Sequence, residues 1–408
     1  MVAEGYKETE IGVIPEDWKV AELRDIGKVS MCKRIMKNET TDYGKIPFYK
    51  IGTFGKEADA YISEKVYEDY KNKYSFPKQG DILISASGTI GRLVVYNGEP
   101  AYFQDSNIVW VDNQEDKLLN SLLFYIYKTV KWNTDGNTIA RLYNENLRRI
   151  KIPLPPLKEQ EKIADILSTA DEKIDAIASQ IEKAETLKKG LLQKLLSEGI
   201  GHSEFKDSEL GKIPESWEVS KLENLTTKIG DGLHGTPKYV EQSDYYFING
   251  NNLNGKSIEI TENTKCVSEE EYTKNKKILD DTTVLLSING TIGSLAYYSN
   301  ETVMLGKSVA YMNTNNKISK QFLFYLLKSS HILDYFMLEL TGTTIKNLSL
   351  KTIRNTKIPL PPLEEQKQIA DILSTADEKL EVLHAKKEKY ETLKKGLLQK
   401  LLSGEVRV

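Results

Sequence analysis

The sequence predicts an α+β protein: two mixed α/β domains in tandem repeat, separated by two long helices that form an antiparallel coiled coil. Three observations carry that expectation. They are a direct repeat, an apolar seam of period 3.5 in its C-terminal part, and β-branched runs that flank glycine turns.

The repeat comes first. IGVIPEDWKVAEL at 11–23 returns as LGKIPESWEVSKL at 210–222, and SASGTIGRLVVY at 85–96 returns as SINGTIGSLAYY at 287–298. KIPLPPLKEQEKIADILSTADEKI at 151–174 returns at 357–380 with four changes, and ETLKKGLLQKLLS is unchanged at 185–197 and 391–403. Over 151–197 the copies share 35 of 47 residues, whereas 33–60 and 234–262 show little likeness. One frame therefore occurs twice and carries two different variable regions. The boundaries expected are a first domain at 1–150, a central helix at 151–200, a second domain at 201–356 and a C-terminal helix at 357–408.

Within each domain, DILISASGTIGRLVVY and TVLLSINGTIGSLAYY read as strand, turn, strand. IPFYKIGTF at 46–54, NIVWVD at 107–112 and YYFING at 245–250 read as further strands. LLFYIYKTV at 122–130 and FLFYLLKSS at 322–330 read as one buried helix per copy.

The helices follow. Pro155 and Pro156 suit a helix start. The seam then runs Ile163, Leu167, Ala170, Ile174, Ile177, Ile181, Ala184, and in the second copy Ile369, Leu373, Ala376, Leu380, Leu383, Lys387, Tyr390. A helix over 157–197 would be about 60 Å long, and its one apolar stripe needs a partner, for which its own repeat is the obvious choice. The helix-pairing residues expected are Ile163, Leu167, Ile174, Ile177 and Ile181 with Ile369, Leu373, Leu380, Leu383 and Tyr390. The acidic residues Glu159, Glu161, Asp171 and Glu172 read as solvated faces or partner contacts.

Composition excludes several classes. With 408 residues, 39% apolar and 28% charged, the chain is of folded, soluble type. No apolar run approaches the ~20 residues of a membrane helix, and MVAEGYKETE is not a secretory leader. Two cysteines cannot build a disulfide framework, so the expected compartment is the cytoplasm. Four scattered histidines leave little room for a metal site, and no cofactor is expected. The net charge of −3, from 56 basic and 59 acidic residues, argues against nucleic-acid coating by bulk attraction.

Catalytic motifs are lacking. Gly306-Lys307-Ser308 resembles the end of a phosphate-binding loop, but Glu301 stands where that loop needs glycine. The Gly-Thr-Ile-Gly tetrads at 88–91 and 290–293 sit between strand runs, which favours a hairpin turn over a phosphate cradle. Ser85, Ser87 and Ser308 have no histidine common to both repeats to activate them, since the first repeat has none. No methyl-donor loop and no helicase motif is present, so no catalytic residue is assigned.

These residues carry a resemblance. The paired KIPLPPL-x-EQ helix starts, ETLKKGLLQKLLS, the openings YKETEIGVIPEDW and FKDSELGKIPESW, and DGLHGTPKY at 231–239 resemble the specificity subunit of type I restriction–modification systems. The resemblance implies two target-recognition domains, each reading one half of a bipartite double-stranded DNA site. It also implies antiparallel spacer helices that dock two modification methyltransferase subunits, and restriction subunits carrying the nuclease. Membrane contact is not expected.

Side chains able to read base edges or hold phosphates are Arg, Lys, His, Asn and Gln. The candidates are Arg34, Lys50, Lys56, Arg92, Gln104, Asn137 and Arg141 in the first domain. In the second they are His234, Lys238, Asn249, Asn251, Asn252, Asn289, Lys307 and Lys346. For each, a solvated loop residue is the competing reading. Two alternatives stand beside the whole: the specificity component of a related methyltransferase–nuclease, and a repeat scaffold that never binds DNA.

Overall fold

The protein is described from a computed structural model over residues 3–132, 142, 144–342 and 346–408. It divides into two compact units, one of Met1–Ala178 with Lys386–Val408 and one of Ser179–Ala385. Each unit holds one mixed domain and part of both long helices, Leu157–Ser197 and Leu363–Leu402.

In the first unit, Lys19–Glu22 pairs antiparallel with Lys151–Leu154, so the domain's two ends are tied together just before the long helix begins. An antiparallel sheet runs Gly27–Ser30, Ile108–Asn113, Ile82–Ser85, Leu93–Val95. Its side chains alternate between two cores. Ile82, Ile84, Val109 and Val111 face the buried helix Asn120–Thr129, while Leu83, Ile108 and Trp110 join a second cluster with Phe48 and Tyr102. Both faces are covered, which is why all four residues of Ile82–Ser85 are buried. A second sheet runs Tyr102–Phe103, Ile46–Tyr49, Tyr61–Ile62, Thr40–Thr41, with its first pair parallel.

The second unit repeats this plan. Its first sheet runs Thr226–Asp231, Val309–Thr314, Thr283–Ser287, Leu295–Tyr297, and its second runs Tyr239–Val240, Cys266–Val267, Tyr246–Ile248, Val303–Leu305, again with one parallel pair. The regions whose sequences do not align thus keep one strand order. The copies differ in a small added hairpin, Leu253–Asn254 with Ser257–Ile258.

The Pro-Pro-Leu-x-Glu-Gln start is a staple between helix and domain. Gln160 is fully buried, its Oε1 accepts the Leu119 N–H at 2.9 Å, and its Nε2 donates to the Lys117 and Pro155 carbonyls, both at 2.8 Å. Gln366 does the same with the Ser319 N–H and the Lys317 and Pro361 carbonyls. Glu159 accepts the Trp18 indole N–H at 2.9 Å, as Glu365 accepts that of Trp217 at 2.9 Å. Reading Glu159 as a solvated face is therefore corrected: it is buried, and Arg407 supplies the cation it needs. At Glu365 the third partner is His202 at 2.7 Å, with the Ile200 N–H.

Within each unit the helix segments run antiparallel. In the first, Glu159 meets Arg407 and, further along, Asp171 meets Lys394. In the second, Lys188 meets Asp377 while Glu365 lies beside Ile200. Asp171 and Asp377 are equivalent in the repeat, as are Lys188 and Lys394, and each aspartate also accepts a tyrosine hydroxyl, from Tyr125 at 3.0 Å and Tyr325 at 2.8 Å. Burial would raise the Asp377 carboxyl, but hydrogen bonds from Lys188 and Tyr325 and the lysine charges outweigh it, so its pKa lies below the ordinary carboxylate value. Asp171 is held down likewise against burial, by Lys394, Lys128 and Tyr125. Asp171 is thus a half-buried ion-pair centre rather than a solvated face.

The expected seam residues fall into three groups. Ile163 and Leu167 lie in the first domain's core with Leu401, and Ile369 and Leu373 lie in the second's with Leu195 and Leu196. Ile177, Ile181 and Leu383 are buried as well, whereas Ile174, Leu380 and Tyr390 are half-buried. Among the described residues no helix is long and apolar enough to cross a membrane.

Candidate nucleic-acid interface

In each domain several loops converge at one end of the first sheet, held there by backbone hydrogen bonds. In the first domain, the Ala86 N–H donates to the Asn107 carbonyl at 2.7 Å and the Ser87 hydroxyl to Asn107 Oδ1 at 2.7 Å, joining the Gly-Thr-Ile-Gly hairpin to loop 104–107. Gln104 Oε1 accepts the Ile51 N–H at 2.9 Å, and Arg92 donates to the Phe54 carbonyl at 2.7 Å, so loop 50–56 closes the cluster. Arg34 reaches it through Asp105 at 2.9 Å. Ser106, at φ 61°, adopts a left-handed conformation costly for a non-glycine residue.

The second domain assembles the same loops from other residues. The Ile288 N–H donates to the Ser308 carbonyl at 2.9 Å, as Ala86 does to Asn107. The Ser308 hydroxyl donates to Asn249 Oδ1 at 3.0 Å and accepts the Gly250 N–H at 2.9 Å. Asn289 pairs across a β-bridge with Asn347, and Leu233 with Gly306. The side chain of Asn289 presents a buried Oδ1 without a hydrogen-bond partner among the described residues.

The candidates divide by what else they do. Gln104, Arg92, Asn249 and Asn252 are committed to the loops themselves; Asn252 Oδ1 accepts the Asn249 N–H at 2.9 Å and its Nδ2 donates to the Glu259 carbonyl at 3.0 Å. Arg34 and Lys50 sit in ion pairs with Asp105 and Asp59, and His234 is hydrogen-bonded to Asp231; all three basic side chains are exposed, and such contacts are weak enough in water to be exchanged for phosphate. Lys56, Lys238, Asn251, Lys307 and Lys346 are exposed, and their side chains make no hydrogen bond or ion pair among the described residues. Lys307 and Asn251 lie in the cluster and Lys346 adjoins Asn347, but among the described residues no contact brings Lys238 into it. Asn137 and Arg141 lie outside the described residues. Ser87, Asn107 and Asn347 also stand in these clusters without being among the candidates; Ser87 follows from aligning the hairpin, where the second copy has Asn289, whereas the match of Asn107 with Ser308 rests on their shared backbone bond.

A second feature also occurs in both units. In the second, an apolar groove of about 500 Å³ is lined by Leu192, Leu196, Ile213, Leu326 and Ile332, with Lys189 at its rim. In the first, a groove of about 610 Å³ is lined by the equivalents Leu398, Leu402, Ile14 and Ile126, with Lys395. The helix residues lining both belong to ETLKKGLLQKLLS, the segment identical in the two copies.

Fold and loops together define a class: a tandem pair of mixed domains on antiparallel helices, with one shared frame and two different loop sets. A family model for the type I restriction modification DNA specificity domain matches residues 15–186 and again residues 214–392. A Methanocaldococcus jannaschii protein assigned as the specificity subunit of the type I restriction enzyme MjaX is 33% identical over 433 aligned positions, covering 99% of this chain and 97% of that protein. A Haemophilus influenzae protein assigned as a type I restriction enzyme specificity subunit is 62% identical over 155 residues, spanning 38% of this chain and 40% of that protein. The crystal structure of the type I S subunit from M. genitalium shares the fold at TM-score 0.59 and 18% identity, over 94% of this chain and 96% of that one. The chain belongs to the type I restriction–modification DNA specificity family.

Proposed function

We propose that the chain is the non-catalytic reader of a cytoplasmic type I restriction–modification complex. Each domain reads one half of a bipartite DNA site, and the long helices set the spacing between the halves. The observation that carries this is the pairing of one backbone frame with two loop sets. At equivalent places the first domain has Ser87, Asn107 and Arg92 where the second has Asn289, Ser308 and Ser294, and the loops are held by different side-chain contacts. Loops so differently built on one frame suit two different base sequences.

The two equivalent grooves support two modification methyltransferase subunits, one at each, with restriction subunits joining that core. Methyl transfer and cleavage belong to those partners, since the sequence carries no methyl-donor loop of its own. Methylome sequencing of cells expressing the chain with a modification subunit tests the proposal. A split motif with two specified halves is expected, together with no methyl transfer by the purified chain alone. Methylation by the isolated chain, or a single uninterrupted motif, would overturn it.

A further inference from the structure

The Gly-Thr-Ile-Gly tips are identical in two readers that differ around them. An element common to both cannot discriminate between two half-sites; it can only contact what they share. Folding explains three of the four residues. Gly88 and Gly91 have φ of 64° and 79°, and Gly290 and Gly293 have 71° and 95°, all left-handed. A side chain at Gly91 would also meet the Trp132 ring at 2.3 Å. Ile90 and Ile292 pack against their domain cores.

The threonines are not explained this way. Thr89 and Thr291 are exposed, and neither hydroxyl has a hydrogen-bond partner among the described residues. Their carbonyls are instead turned inward and held by the hydroxyls of Ser85, at 2.6 Å, and of Ser287. That clamp fixes the tip with its hydroxyl outward and its own N–H unpaired among the described residues.

We infer that Thr89 and Thr291 each donate to a backbone phosphate of the DNA half-site their domain reads, positioning the duplex while neighbouring loop residues read the bases. The inference rests on the DNA reading above. It assigns the tetrad an open phosphate contact at a hairpin tip, not a nucleotide cradle. Because the donors are uncharged, the contact releases no counterion, unlike one made by lysine.

The test uses the full chain with its modification subunit and duplex DNA carrying the mapped site. Thr89→Val is expected to weaken binding about tenfold, the scale of one hydrogen bond to a charged group. The recognised sequence and the slope of log K against log salt are expected to stay unchanged, and Thr89→Ser to restore binding. Ethylation of one phosphate in the first half-site should interfere with the unsubstituted complex but not with Thr89→Val, and Thr291→Val should behave likewise in the second. Full-strength binding by both valine variants, or an altered base preference, would overturn the inference alone. Failure of the unsubstituted complex to bind any specific site would overturn the DNA reading, and this inference with it.

Discussion

The two helix staples and the two loop clusters follow opposite rules. At the staples, Trp18, Glu159 and Gln160 recur as Trp217, Glu365 and Gln366 with the same partners and nearly the same distances. At the loops, the backbone bond from Ala86 to Asn107 recurs from Ile288 to Ser308, yet the side chains differ. The difference is one of burial. A buried amide such as Gln160 must satisfy every polar atom it brings along, and only one side chain fits those partners. An exposed loop is held by its main chain, so its side chains are free to change. Even the staple varies where solvent reaches it, with Arg407 on Glu159 and His202 on Glu365.

The largest effects should come from the buried side of this comparison. Gln366→Leu leaves the Ser319 N–H and two carbonyls unpaired and is expected to cost about 3 kcal/mol or more in chemical denaturation. Leu373→Ala, at a fully buried position, should cost about 3 kcal/mol, whereas Leu380→Ala, half-buried, should cost about 1 kcal/mol. Equal losses would mean that the half-buried seam position packs as tightly as the one in the domain core.

Asp377 sharpens the comparison through pH. Its folded pKa lies below that of an unfolded aspartate, about 3.9, so its stabilisation is complete above that value and is lost as pH falls through the folded pKa. Asp377→Asn should lower stability at pH 7 and flatten its decline below about pH 4. An unchanged acid limb in denaturation curves would show that the Lys188 pair contributes nothing.

The smallest effect on stability is expected at the loops. Asn251→Ala and Lys307→Ala should change folding by less than about 0.5 kcal/mol. Methylation assays on substituted sites should nonetheless show a loss, about 1–3 kcal/mol of base discrimination for a residue that reads a base edge. A folding loss as large as that of Gln366→Leu would erase the distinction between frame and loops.

Much of the frame was legible because repetition marks it: the helix start at Leu157, the hairpin around Gly88 and the buried helix at Asn120–Thr129 all stand in repeated segments. Glu159 was misread because its partner Trp18 is 141 residues distant, and helical spacing cannot tell a solvated carboxylate from one capped by an indole. The retention of Trp, Glu and Gln together in both copies was the available signal. The second sheet was legible only in part: its strands at Ile46–Tyr49 and Tyr246–Ile248 stand within runs read as strands, whereas its two-residue strands carry too little pattern, and 33–60 and 234–262 do not align although their strands pair in one order. Among the loop candidates, Gln104 and Asn252 show why residue type alone misleads: an amide that can read a base can equally satisfy a turn.

Exchange of residues 24–150 for the corresponding domain of a family member with another specificity tests the central claim most directly. Methylome sequencing of cells expressing the hybrid with the modification subunit should show one half of the split motif replaced, the other half intact and the spacer unchanged. A motif altered in both halves, or in neither, would contradict two independent readers on one frame.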